Sequence, residues 1–191
     1  SVSLSRSTVV GAAGVAVRSA HVGSTVTLTD SVVTSTLPSD LQLGHGLVAV
    51  SGGSVTAIDT AVTNCWSKAV TALDPGSSVD LERVVVDGTR SVGDTATGGA
   101  VAEEGGKVVA RTSVFTRNEA SGLAALLGSE LTAEHCLISG TREFLGFAAA
   151  VFAVSGGEVT LRGCTVASNP GAGLAVATAG SMLTVERSLV A

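Results

Sequence analysis

The chain has 191 residues, 45% of them hydrophobic, which suffices for one ordinary domain or a short repeat array. The net charge is −5 and the 11 Lys and Arg residues are scattered, which argues against a nucleic-acid-binding surface. Three cysteines argue against a disulfide scaffold, and the longest apolar run, residues 144–154, is shorter than the roughly 20 residues of a membrane span.

An internal repeat begins at the first residues. The phrase Ala-Val-Ser-Gly-Gly-x-Val-Thr occurs at residues 49–56 and again at residues 153–160. We call the first residue of each Val-Thr-Leu-like unit an anchor. The anchors are Val2, Val26, Val55, Val79, Val108, Leu131, Val159 and Leu183, spaced alternately by 23 or 24 and by 28 or 29 residues. Short and long units therefore alternate along the chain.

Three positions relative to the anchor are apolar in every unit: the anchor itself, the second residue after it and the seventh. Apolar residues with a period of two predict short strands with one buried face. The residues seven after the anchors are Val9, Val33, Val62, Val86, Phe115, Ile138, Val166 and Val190. A further strand is predicted before each later anchor, at Val15–Val17, Leu47–Ala49, Val70–Ala72, Ala100–Ala102, Leu123–Ala125, Val151–Ala153 and Leu174–Val176.

Each unit thus holds three short strands, which bury their inner faces only when unit stacks on unit. The pattern predicts an all-β parallel β-helix, a solenoid of about eight coils with alternating short and long coils. Residues 1–191 form a single domain, which we expect to be a segment of, or a repeat unit in, a longer or assembled structure. A leucine-rich repeat is disfavoured because its L-x-x-L-x-L-x-x-N/C phrase does not recur.

Glycine and asparagine mark the predicted turns. The pairs Gly52-Gly53, Gly105-Gly106 and Gly156-Gly157 precede three of the anchors. Asn64, Asn118 and Asn169, with Gly88 and Gly140 in two long units, follow the strand around anchor+7. Both residue types tolerate the left-handed backbone region, so we predict that conformation at these positions.

The unit Gly46-Leu-Val-Ala-Val-Ser-Gly-Gly-Ser-Val-Thr resembles right-handed parallel β-helix repeat proteins, the superfamily that includes pectate lyases and polygalacturonases. In style it is similar to large secreted repeat proteins of myxobacteria and their relatives. The resemblance covers nearly the whole chain and implies a right-handed solenoid at a bacterial cell surface or outside the cell. Many superfamily members place Asn four residues after the anchor. Here that corner holds Arg6, Asp30, Asp59, Arg83, Thr112, His135, Gly163 and Arg187, so no Asn ladder is expected.

Candidate catalytic residues are sparse. Gly44-His45-Gly46 resembles a polygalacturonase motif, but the paired aspartates and the Arg-Ile-Lys of that family are missing, so turn chemistry is favoured. Asp30 and Asp59 could be neighbours on adjacent coils, beside Arg6 and Arg83, and a row of solvated ion pairs is preferred to a glycosidase carboxylate pair.

Metal sites are also disfavoured. Glu103-Glu104 is the densest acidic cluster and is expected to be an exposed turn rather than a calcium site. Cysteines and histidines never share the spacing of metal ligands, so no metal and no cofactor is predicted. Cys136 and Cys164 fall in one inward column on adjacent coils. We favour two buried thiols over a disulfide.

An outward column is rich in threonine, as in ice-binding solenoids. It contains Ser3, Thr27, Thr56, Asp80, Val109, Thr132, Thr160 and Thr184, and the parallel column one residue before the anchors is charged through its middle. A flat ice-matching surface would be interrupted there, so the β-propensity of threonine is the preferred explanation.

The long units carry loops at residues 34–45, 87–98 and 139–149, all after the anchor+7 strand. They are predicted to form one ridge whose members lie about 9.6 Å apart, two strand spacings. Thr89-Arg90 and Thr141-Arg142 match between two of the loops. Because function on such scaffolds resides in loops, we predict a binding surface on the ridge, with tolerated insertions as the equal alternative. Its candidate residues are Asp40, His45, Arg90, Asp94, Arg142 and Glu143.

Two functions remain open from the sequence. The first is a non-enzymatic secreted or cell-surface solenoid with a structural, adhesive or self-assembling, filament-like role. The second is a carbohydrate-binding or carbohydrate-active β-helix, disfavoured by an aromatic content of 3%. Both ends lack a recognisable cap, so we expect the chain to bind itself end to end, or to bind other surface or matrix components. Polysaccharide is a further possible partner. Neither a nucleic-acid partner nor a membrane span is expected. The chain opens on Ser1, which indicates a mature chain or an excised segment.

Overall fold

The computed structural model describes residues 1–39, 44–92 and 98–191, and within them every regular element is a β-strand. The strands are short, and each coincides with a stretch in which apolar residues alternate. Most are joined by tight turns. No helix long and apolar enough to cross a membrane occurs among the described residues.

The strands of the first four coils are β1 (Val2–Ser5), β2 (Thr8–Val10), β3 (Gly14–Ala20), β4 (Thr25–Thr29), β5 (Val32–Thr34), β6 (Gly44–Val50), β7 (Ser54–Ile58), β8 (Ala61–Thr63), β9 (Lys68–Leu73), β10 (Ser78–Glu82), β11 (Val85–Asp87) and β12 (Gly98–Glu103). The remaining strands are β13 (Lys107–Arg111), β14 (Val114–Thr116), β15 (Ser121–Leu126), β16 (Glu130–Glu134), β17 (Leu137–Ser139), β18 (Ala149–Val154), β19 (Glu158–Arg162), β20 (Thr165–Ala167), β21 (Ala172–Ala177), β22 (Met182–Glu186) and β23 (Leu189–Val190).

Every third strand belongs to the same sheet, so the described chain winds as a solenoid with three parallel sheets. The first sheet runs β1-β4-β7-β10-β13-β16-β19-β22 and the second runs β2-β5-β8-β11-β14-β17-β20-β23. The third sheet runs β3-β6-β9-β12-β15-β18-β21. The predicted all-β solenoid of about eight coils is confirmed.

The coil-to-coil register agrees with the repeat. Each anchor pairs with the next, from Val2 with Val26 to Val159 with Leu183. The anchor+7 residues pair likewise, from Val9 with Val33 to Val166 with Val190. The alignment is wrong only at β3, where Val17 rather than Val15 pairs with Leu47. A shift of two residues leaves an alternating pattern unchanged, so the alternation could not reveal it.

The interior is a column of apolar side chains running the length of the described stack. Its largest fully buried members include Phe115, Leu81, Leu123 and Ile138. In the first two sheets the strands bury alternate residues, as predicted. The prediction of a single buried face is wrong for the third sheet, where strands such as β6 and β12 are buried on both faces. Their continuous apolar runs are typical of such doubly covered strands.

The corner four residues after each anchor is left-handed in every coil, although it is rarely glycine. The φ angles lie between 46° at Arg6 and 60° at Gly163. One residue in the left-handed region turns the chain from the first sheet into the second, and the stack of similar corners keeps the strands in register. The expected lack of an Asn ladder therefore does not alter the corner geometry.

A second left-handed position lies nine residues after the anchors, at Gly11, Ser35, Asn64, Gly88, Arg117, Gly140 and Ser168. The prediction of this conformation is confirmed for Asn64, Gly88 and Gly140. It is wrong for Asn118 and Asn169, which lie one residue later and use their amides instead.

The side chain of Asn118 is buried and bridges two coils. Its Oδ1 accepts from the Thr89 amide at 3.1 Å, and its Nδ2 donates to the Val86 carbonyl at 3.3 Å. Asn169 binds Thr141 and Ile138 in the same way. Each amide thus satisfies buried backbone groups where a long loop leaves the sheet.

The outer face of the first sheet is charged in its later coils. One column alternates in sign through Glu82, Arg111, Glu134, Arg162 and Glu186. Arg162 lies 3.5 Å from Glu134 and 3.3 Å from Glu186. Exposed pairs of this kind contribute about 0–1 kcal/mol each, so they add little to stability. The column predicted to be charged is a different one, immediately before the anchors, where Lys107, Glu130 and Glu158 are neighbours and Lys107 lies 3.0 Å from Glu130.

Candidate functional site

Four of the six predicted loop residues are described, and they divide into two groups. Asp40 and Asp94 lie outside the described residues. Arg90, Arg142 and Glu143 are exposed on the loop side of the solenoid. His45 is not on that ridge, because it is the second residue of β6 and is buried on the outer face of the third sheet.

The described parts of the loops stack on the intervening short coils. Trp66 and Arg90 form a parallel bridge, and so do Glu119 and Arg142. The Glu119 amide also donates to the Thr89 carbonyl, which joins the two bridges. We call Trp66, Arg90, Glu119 and Arg142 the loop ladder. Arg90 and Arg142 thus occupy equivalent positions two coils apart, as their matched Thr-Arg pairs predict.

The loop ladder combines one aromatic ring with two exposed cations. The Arg90 guanidinium carbon lies 5.7 Å from the centroid of the half-buried Trp66 ring, within cation–π range. Arg142 is exposed and makes no ion pair with a described residue. The Glu119 carboxylate between them accepts from the Ser91 amide at 2.7 Å. Two arginines flanking one acid could hold an extended anionic chain through bidentate hydrogen bonds.

Gly44-His45-Gly46 is not a turn, so the turn interpretation is wrong. All three residues lie in β6 and are buried. A Cβ on Gly44 would lie 2.5 Å from the Trp66 Cβ, and one on Gly46 would lie 2.5 Å from the Ala69 carbonyl oxygen. Glycine is needed there because the neighbouring coil approaches closely.

Burial, together with the nearby Lys68 ammonium, lowers the pKa of His45 from 6.5 to about 4. The folded protein therefore holds a neutral imidazole, and the unfolded chain binds the proton first as the pH falls. Stability from this group is complete above pH 6.5 and is lost as the pH falls towards 4. The loss expected from such a shift is ~3 kcal/mol.

Denaturant unfolding at about pH 7.5 and about pH 4.5 measures this loss, with His45→Gln as the control for titrating carboxylates. We expect the wild type to lose about 2.5 kcal/mol more than the variant between the two pH values, most of the full effect of the shift. Equal losses would show that His45 keeps its ordinary pKa in the folded protein.

A salt bridge lies beside His45 on the same face. Lys68 Nζ donates to both carboxylate oxygens of Glu103, at 2.6 and 2.7 Å, and the two side chains are only 14% and 18% exposed. The prediction of an exposed turn is wrong for Glu103, which ends β12, and fits Glu104, whose φ is 50°. With both oxygens engaged, Glu103 is poorly placed to act as a nucleophile or a base.

An apolar hairpin projects next to this salt bridge. Phe144 and Phe147 exchange two backbone hydrogen bonds of 2.9 Å, and the two residues between them, Leu145 and Gly146, have φ of 49° and 79°. This is the geometry of a two-residue type I′ turn. We call residues 144–147 the tip. Leu145 is 72% exposed, and the Phe147 ring packs on Phe152 with centroids 5.0 Å apart.

A small cavity of about 50 Å³ opens between the tip and the third sheet. The aromatic rings of Phe147 and Phe152 form one side, and Val101, Ala124 and Leu126 form much of the rest. The Lys68–Glu103 pair lies at its border. This cavity is not predicted by the sequence analysis. The unbroken apolar runs before the anchors are the signal that could have indicated it, because they mark strands that are covered on both faces.

The predicted row of ion pairs at this corner forms only in part. Arg83 binds Asp59 in a bidentate fashion, with Nε–Oδ1 2.7 Å and Nη2–Oδ2 2.8 Å. The hydrogen bonds from Arg83 hold the pKa of Asp59 below its ordinary range. Between the described residues Arg6 and Asp30 there is no ion pair. A glycosidase pair of free carboxylates is therefore not formed by Asp30 and Asp59.

All three cysteines are buried and reduced. Cys136 and Cys164 lie on adjacent coils, and the Cys136 amide is 3.5 Å from the Cys164 Sγ. The neighbouring Cys164 thiol and burial raise the pKa of Cys136, and burial raises that of Cys65. No group of three or more His, Cys, Asp or Glu side chains that could hold a metal ion occurs among the described residues.

We expect Cys136 and Cys164 to resist maleimide labelling until the fold opens, because both thiols are buried out of reach of the reagent. Intact mass after labelling of native and denatured protein measures this, and Cys136→Ser with Cys164→Ser gives the background. Rapid labelling of both in native protein would contradict the prediction. An unlabelled mass lower by two hydrogens would indicate the disulfide instead.

Comparison with known families agrees with the geometry. Residues 1–190 match the family described as right handed beta helix region. The chain belongs to that family, and its three parallel sheets form a right-handed β-helix of about eight coils. No curated protein and no solved structure matched the chain.

Proposed function

We propose that this protein is a non-enzymatic, secreted or cell-surface β-solenoid with a structural, adhesive or self-assembling role. One observation carries the proposal: the coils keep an unbroken register from β1 to β23, and in the later coils Arg111 and Arg162 on the outer face of the first sheet pair with acids of neighbouring coils. Such a surface suits a rigid structural element better than a catalytic site. The resemblance to large secreted myxobacterial repeat proteins supports the location outside the cell.

End-to-end stacking is the proposed mode of assembly. In this chain the first coil exposes Val2 and Val10, and the last exposes Met182, Leu189 and Val190. Unpaired strand edges with apolar side chains are templates for another chain. A second copy placed on the last coil would continue the first and second sheets.

Sedimentation and electron microscopy over a concentration series test this assembly. Rods along the solenoid axis are expected at high concentration, and Leu189→Asp should shorten them. A chain that remains monodisperse, with no rods, would overturn the stacking proposal.

Release of new unsaturated or reducing ends from acidic polysaccharides would overturn the non-enzymatic role.

A second candidate function is binding of an acidic polysaccharide along the loop ladder. The observation that favours it is the position of the two arginines. Arg90 stacks on Trp66, and Arg142 occupies the equivalent position two coils away, about 9.6 Å from Arg90 by strand spacing. A glycan array would identify the ligand. Arg90→Ala and Arg142→Ala should each weaken binding, whereas Arg187→Ala, a corner arginine of the last coil, should not.

A further inference from the structure

The backbone beneath the loop ladder holds its side chains at fixed intervals. Each of the three later members donates its amide hydrogen to the coil before it, and the acceptors are the carbonyl oxygens of Cys65 at 2.8 Å, Thr89 at 3.0 Å and Asn118 at 2.8 Å. These acceptor residues are buried, so the ladder residues that follow them direct their side chains towards the surface. Parallel neighbours of this kind lie about 4.8 Å apart, which sets the spacing of the ladder.

The charges along the loop ladder alternate in sign. After the Trp66 ring come a cation, an anion and a cation, at Arg90, Glu119 and Arg142. The Glu119 carboxylate is fixed between the two arginines by the hydrogen bond of 2.7 Å from the Ser91 amide. Neither guanidinium makes an ion pair with a described residue. The ladder therefore presents two positive charges about 9.6 Å apart with a negative charge between them.

The spacing of the ladder favours one kind of polymer. One sugar unit of an extended polysaccharide spans close to one strand spacing, so every second sugar reaches an arginine. An extended peptide presents the side chains of one face about every 6.8 Å, two residues of a strand, which matches neither interval of the ladder. A polysaccharide is therefore a better match than an acidic peptide.

We propose that the loop ladder binds a polysaccharide with an anionic group on every second sugar and a neutral sugar between them. The anionic groups meet Arg90 and Arg142, which can each form bidentate hydrogen bonds. The neutral sugar lies over Glu119, whose carboxylate accepts from its hydroxyl groups. A polymer with a charge on every sugar would place an anion beside Glu119, and this repulsion selects against it. The inference rests on the binding function proposed for the loop ladder and adds the charge pattern of its ligand.

Trp66 provides a local signal for the test, because it is the only tryptophan of the chain and lies against Arg90. Its fluorescence, together with titration calorimetry, compares two probes of equal length. Hyaluronan oligosaccharides carry a carboxylate on every second sugar, and oligogalacturonate carries one on every sugar. We expect hyaluronan to bind about fivefold more tightly, the effect of one exposed like-charge contact. Arg142→Gln should weaken its binding.

Glu119→Gln tests the origin of this selectivity. The variant keeps an oxygen that accepts from the Ser91 amide and removes the charge. Oligogalacturonate should bind it about fivefold more tightly than it binds the wild type, with little change for hyaluronan. Glu143→Gln is the matched control, because it removes the same charge from an exposed neighbour of Arg142 outside the ladder and should leave the ratio of the two affinities unchanged. Thermal unfolding of both variants checks that the fold is retained.

The outcomes distinguish the charge pattern from the binding function. Equal binding of the two probes, or tighter binding of oligogalacturonate, overturns the charge pattern and leaves polysaccharide binding intact. Neither a fluorescence change nor heat of binding with either probe overturns polysaccharide binding at the ladder as well. Polyglutamate that binds as tightly as hyaluronan would assign the ladder to acidic peptides and overturn the proposal.

Discussion

Replacing Val86 with Asp is expected to unfold the central coils. Val86 is fully buried in β11 and pairs with Val62 and Phe115 on the neighbouring coils. A carboxylate there would lose its hydration without gaining a partner, and a buried acid can have its pKa raised by as much as about 3–5 units. With the lost valine burial added, the expected cost is about 5 kcal/mol or more, comparable with the whole stability of an ordinary domain.

Val85→Asp is the matched control for this prediction. Val85 is the preceding residue of the same strand, but its side chain points outward and is 40% exposed. Circular dichroism and thermal unfolding of both variants give the comparison. Native spectra and an unchanged melting temperature for Val86→Asp would mean that the anchor+7 column does not face the core.

The strand pattern was predictable because the solenoid repeats one physical requirement in every coil. Each coil needs apolar residues at the anchor, two residues later and seven residues later, and this periodicity indicated the register of the first two sheets. Alternation cannot distinguish shifts of two residues, which is why β3 was aligned on Val15 instead of Val17. The left-handed corners were less visible, because Arg6 and Thr112 adopt a conformation that their residue types do not favour.

The candidate site was predictable only where it repeats. Arg90 and Arg142 could be matched because both follow a threonine in equivalent loops. Lys68 and Glu103 are 35 residues apart and meet because the Lys68 side chain crosses to the next coil. Nothing local in the sequence marks that contact. Their pairing, like the packing of Phe147 on Phe152, depends on the outer face of the third sheet, whose burial the alternating pattern does not predict.

Replacing Gly157 with Ala is expected to be among the most damaging single-methyl changes in the chain. Gly157 does not have a left-handed φ, so its role differs from that of Gly156, whose φ is 79°. A Cβ at Gly157 would lie 2.1 Å from the Ala125 carbonyl oxygen of the preceding coil. This atom belongs to the backbone of the third sheet and cannot turn away, so the coils must separate locally. The expected loss of stability is about 3 kcal/mol.

Gly128→Ala supplies the control because it changes the backbone preference without a clash. Gly128 has a φ of 71°, and a Cβ added there would have no described atom within 4 Å beyond its chain neighbours. Its substitution should cost about 1–2 kcal/mol through left-handed strain alone. Urea unfolding of the two variants and the wild type gives both values.

The comparison decides how closely the coils stack at this turn. If Gly157→Ala loses no more stability than Gly128→Ala, the close approach of the Ala125 carbonyl is not present in solution. If it loses about 3 kcal/mol while Gly53→Ala and Gly106→Ala lose similar amounts, contact with the preceding coil is a general requirement of these turns. The Cβ atoms of those two variants would lie 2.5 and 2.3 Å from the carbonyl oxygens of Ser19 and Ala72, so the same backbone clash acts at all three glycines.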